Sequence, residues 1–97
     1  MKCYTIAVPN CPDPVVHPVQ AKRFADFLNG LDGLLGVHPH YPEGTILFFD
    51  TVEHAKNARM KFMAEGNKCG DYIMNAEITE NGATVSGIAE RVGGNVQ

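Results

Sequence analysis

Ninety-seven residues with a formal net charge of −3 describe a single domain and exclude a second one. By surface scaling, roughly 64% of the unfolded chain's surface is available for burial, which suits two packed layers and leaves no room for a large enzyme cleft. At 44% hydrophobic and 20% charged, the composition also excludes wholesale disorder.

The first predicted element is a strand over residues 2–8, where Tyr4, Ile6 and Val8 alternate with Cys3, Thr5 and Ala7. Pro9, Pro12, Pro14 and Pro18 then make 9–18 a rigid irregular connection, and Pro18 suits the first turn of a helix. Ala21, Phe24, Ala25, Leu28 and Leu31 recur at helical spacing, and Asn29-Gly30 with Asp32-Gly33 end that helix. Leu34 to His38 reads as a strand that continues to Tyr41, with Pro39 marking it as an edge or bulged strand. Pro42-Glu43-Gly44 is turn chemistry, and Thr45-Ile46-Leu47-Phe48-Phe49 is the strongest strand signal in the chain.

Asp50 or Thr51 caps a second helix, with Asp50 and Glu53 at capping-box spacing. Ala55, Ala58, Arg59, Phe62 and Met63 run down one side of it, and Gly66 closes it. A strand is predicted over Tyr72–Ile78, a type I′ turn at Asn81-Gly82, and a last strand over Ala83–Ile88. Residues 1–92 form the domain, and 93–97 are expected to fray.

The order strand, helix, strand, strand, helix, strand, plus a C-terminal strand, predicts an α+β domain of the split βαβ, ferredoxin-like kind. Such a domain is an antiparallel sheet with both helices on one face.

Residues 43–58, EGTILFFDTVEHAKNA, resemble the third strand and second helix of RNA recognition motifs. A glycine opens the strand, an aromatic closes it, and two alanines three apart start the helix. The resemblance implies the ferredoxin-like fold. Aligning Phe49 with the family's closing aromatic puts Gly44 and Ile46 where the family stacks bases, with Cys3, Thr5 and Ala7 as the outward set of the first strand. The stacking platform is missing, so RNA binding is not expected. The scattered basic residues agree: Lys56, Arg59 and Lys61 read as a solvated helix surface.

With Leu47 and Phe49 turned to the helices, Ile46 and Phe48 point to the open face of the sheet. Alternation adds Leu34, His38 and His40, and Asn75 and Glu77 from the fourth strand. A face of that kind calls for a cover: a second copy, a partner protein, or the chain's own C-terminal segment.

The chemical motifs are sparse. His38 and His40 lie about 7 Å apart along one strand face, a spacing that suits one metal ion or a general base, without a third ligand in sequence. Cys11, Asp13 and His17 share the Pro-rich loop, but Cys11 lacks a helix N-terminus to activate it. Met60, Met63 and Met74 read as core filler. No phosphate-cradling glycine motif occurs. Three cysteines, Cys3, Cys11 and Cys69, show no disulfide or metal spacing and predict reduced thiols in a cytoplasmic protein.

The function expected is therefore a small non-catalytic protein-binding module without cofactor or metal. Ile46, Phe48, His38, His40 and Glu77 form its partner-binding surface. Its size, acidity and lack of motifs are typical of phage and mobile-element accessory proteins that inhibit a host defence protein, the anti-CRISPR proteins among them. The partner is another protein or a second copy, not nucleic acid or a membrane. The alternative is a small dimeric α+β-barrel enzyme or ligand-binding protein in which His38 or His40 works with Glu77.

Overall fold

The computed structural model describes residues 1–40 and 43–93. Its elements run β1 (Lys2–Val8), α1 (Pro18–Asn29), β2 (Leu34–His40), β3 (Gly44–Phe49), α2 (Val52–Ala64), β4 (Tyr72–Thr79) and β5 (Gly82–Arg91). The strands form one five-stranded sheet in the order β2-β3-β1-β4-β5, and every neighbouring pair is antiparallel. The molecule is α+β with two helices. Tyr41 and the Pro42 turn position lie outside the described residues, as do residues 94–97 of the tail.

The main core forms between the helices and one sheet face. Ile6, Val8, Leu47, Phe49 and Ile73 from the strands meet Leu28 from α1 and Ala55, Ala58 and Phe62 from α2. Phe49 and Leu47 are fully buried, as their place at the centre of the strongest strand requires. Phe27, absent from the predicted stripe, packs its ring 4.8 Å from that of Phe62, whereas Ala25 is exposed. The buried line of α1 therefore runs Phe24, Phe27, Leu28 and on to Leu31.

Local details correct the sequence reading in three places. Thr51 alone caps α2: its hydroxyl accepts from the backbone N–H of His54 at 3.1 Å. Asp50 turns away from a capping box and accepts a hydrogen bond from His54 Nδ1 at 2.6 Å. The β4–β5 turn is not type I′, which needs positive φ at both central residues. Among the described residues only glycines have positive φ, here Gly82 at 121°.

On α2 the expected side holds for Ala55, Ala58, Arg59 and Phe62, all buried, and fails only at Met63. Met60 and Met63 are exposed at 67% and 48%, so they are not core filler, and Met74 is only partly buried. Arg59, expected on a solvated surface, is buried: its Nε donates to Gly70 O at 2.8 Å and its Nη1 to Val92 O at 3.3 Å. The long aliphatic stem lies along the core while the guanidinium ties the 70–71 loop to the end of β5.

Candidate binding face

Opposed residues of an antiparallel pair lie on the same side of a sheet. Cys3 is opposite Ala76, Thr5 opposite both Phe48 and Met74, and Ala7 opposite Ile46. In β2, Gly36 is opposite Phe48, His38 opposite Ile46 and His40 opposite Gly44. Val85 opposes Ala76 and Ile88 opposes Met74 in β5. These positions make up the face away from the helices. Cys3, Phe48 and Ala76 form a second buried cluster there, with Ile46 and Ile78 against it, and every member is a strand residue.

The structure brings four of the five expected site residues, Ile46, Phe48, His38 and His40, onto this face and sends Glu77 elsewhere. Lys2 is opposite Glu77 while Cys3 is opposite Ala76, so Met74, Ala76 and Ile78 are the fourth strand's contribution to the open face. Asn75 and Glu77 belong to the helix side. Glu77 is ion-paired there with the amino terminus of Met1. A single-chain acid–base set of His38, His40 and Glu77 is thereby not assembled. Leu34 also moves: a bulge between Leu34 and Gly36 reverses its side and packs it against the helix-face core.

Phe48 is a second correction. The sequence suggests an exposed anchor, but only 7% of it is accessible. Its cover is not the C-terminal segment folded back across the sheet, because β5 lies edge to edge with β4 and extends the sheet. Phe48 belongs to the buried cluster with Cys3 and Ala76, which Ile46 and Ile78 flank on the sheet surface itself. The exposed apolar groups are farther out, Val85 at 41% and Ile88 at 59% accessible, and periodicity missed them because two bulges shift the alternation of β5.

Charge is nearly absent from this face. Arg91 stacks over Tyr72 at one corner, its guanidinium carbon 5.9 Å from the ring centroid. Glu43 and Lys68 sit in a cleft of about 470 Å³ beside His40, Ala7 and Ile46. Between these rims the strand residues are apolar, hydroxyl or imidazole. Burial pushes the Cys3 thiol above its ordinary value, and the negative charge of Glu77 adds to the shift, so the thiol stays protonated.

The Pro-rich loop does not assemble a nucleophile. Cys11 and His17 line a cleft of about 560 Å³ with Asn10, Arg23 and Phe27, and no hydrogen bond joins the pair among the described residues. Asp13 is engaged in its own turn, accepting from Val15 N at 2.8 Å. The three cysteines are free thiols, and no group of three or more potential metal ligands occurs among the described residues. No helix among them is long and apolar enough to cross a membrane.

Comparison with known proteins returns no matching family model, no matching curated protein and no matching solved structure.

Proposed function

We propose that this chain is a non-catalytic protein-binding module that works through the open face of its sheet. The observation that carries the reading is a five-stranded face, apolar and uncharged between its rims, with no helix of the described residues packed on it. The apolar side chains still exposed on it, Val85 and Ile88 above all, gain by being covered.

The occupant that fits is a second copy. A chain of net charge −3 repels itself at most surfaces, but this face brings no like charges together. Five strands about 4.8 Å apart and six residues of about 3.3 Å each give the face a footprint of about 500 Å² per copy, the size of a small specific contact. An inhibitor that occupies a host protein's surface would present the same uncharged face to that protein.

The architectural part of the proposal is a ferredoxin-like split βαβ unit. Its support is that α1 connects β1 to β2 with β3 between them, and α2 connects β3 to β4 with β1 between them. In this reading β5 is an extra edge strand.

Sedimentation equilibrium of the full chain up to high micromolar concentration tests the function. A dimer is expected, dispersed by Val85→Asp combined with Ile88→Asp while the far-UV circular dichroism is unchanged. A wild-type chain that stays monomeric overturns the self-pairing form. A double variant that keeps every association of the wild type overturns the face.

A further inference from the structure

His38 and His40 stand on one side of an edge strand, both exposed, with ring centroids 4.7 Å apart and ring planes at 64°. We propose that this pair is a two-imidazole chelate for a divalent transition-metal ion, Ni²⁺ and Cu²⁺ being the fitting class for imidazole ligands. The inference goes beyond the docking role and concerns the uncovered face, since a second copy seated there would compete with the ion for the pair.

The geometry supplies the argument. A metal bound to imidazole nitrogen at about 2.0–2.1 Å lies about 3.2 Å from the ring centroid, because the ring radius adds about 1.1 Å. Ring centroids 4.7 Å apart are closer than twice that distance, so one ion can reach both rings once each turns a nitrogen toward it. Square-planar and octahedral ions accept two imidazoles as cis ligands and fill their other positions with water.

Three features of the chain hold the pair in place. Alternation puts residues two apart on the same face. Pro39 between them fixes its own φ and confines His38 to extended backbone, so little chain freedom is lost on binding. Across from His40 stands Gly44, where any side chain would run into the Val8 carbonyl, so that position stays clear. Two protein ligands leave the other coordination positions to water, which makes this a weak surface chelate rather than a structural site.

Isothermal titration of the full chain with Ni²⁺ alone, at mildly alkaline pH, tests the proposal. Nickel is chosen because Cu²⁺ would oxidise the free thiols. One saturable site is expected. His38→Ala and His40→Ala should each weaken it by more than about tenfold, and His17→Ala should leave it unchanged. Pro39→Gly, which keeps both ligands, should weaken it less. Both histidines are exposed, so the variants should keep the wild-type circular dichroism. Ni²⁺ should bind more tightly than Zn²⁺. Absence of Ni²⁺ binding, its survival in the double histidine variant, or tighter binding of Zn²⁺ overturns the proposal.

Discussion

Arg59 reaches from the buried side of α2 to the carbonyl of Gly70, donating through Nε at 2.8 Å, and its Nη1 donates to the Val92 carbonyl at 3.3 Å. Its Nη2 lies 3.7 Å from Asp71 Oδ1, which is half exposed and contributes the lesser part. Truncation to alanine leaves two carbonyls without partners. Arg59→Ala should cost about 1–3 kcal/mol and speed amide exchange at the end of β5 before the rest of the sheet. Uniform exchange across the sheet would show that the clasp is not local.

Phe49 is fully buried at the meeting point of both helices and the sheet. Phe49→Ala should cost about 3–5 kcal/mol, a large share of the stability of so small a domain. A thermal melt within a degree or two of wild type would contradict the strand register.

Phe48 and Ile88 share the open face but differ in burial, 7% against 59% accessible. Phe48→Asp places a carboxylate in the buried cluster of Cys3 and Ala76 and should unfold the domain or cost more than about 3 kcal/mol. Ile88→Asp should cost less than about 1 kcal/mol. Urea titrations of the two variants check the contrast, and equal midpoints would mean the face is buried or exposed as a whole.

The hydrogen bond from His54 holds the Asp50 carboxyl below its ordinary value of 3.8, with the charge of His54 a smaller contribution. A depressed folded-state pKa stabilises the fold above the unfolded value, and that stability is lost as pH falls through the folded value. Wild type should therefore lose its pH-dependent advantage over Asp50→Asn only in acid, below about pH 4. Urea midpoints from neutral pH downward would show this, and a constant difference would contradict it.

Removal of metal should leave the fold intact, since its main core is apolar and the histidine pair is exposed. Dialysis against a chelator is expected to leave the melting temperature unchanged. A drop of many degrees, restored by a divalent ion, would point to ligands in the fold itself.

Sequence by itself determined the seven elements and their order, because strand and helix periods differ and prolines and glycines punctuate them. Leu47, Phe49, Leu28 and Phe62 were legible as core for the same reason, and so were Ile46, Phe48, His38 and His40 as the opposite side. What tertiary structure decided was register. A bulge after Leu34 turned that residue to the helices, and the pairing of Lys2 with Glu77 put Glu77 there too. Alternation says which residues share a side, but only the neighbouring strand says which side it is. Burial was likewise a tertiary matter. Arg59 is held inside by carbonyls from the 70 and 92 positions, and Met63 is left outside, because long-range partners decide what a helix face meets.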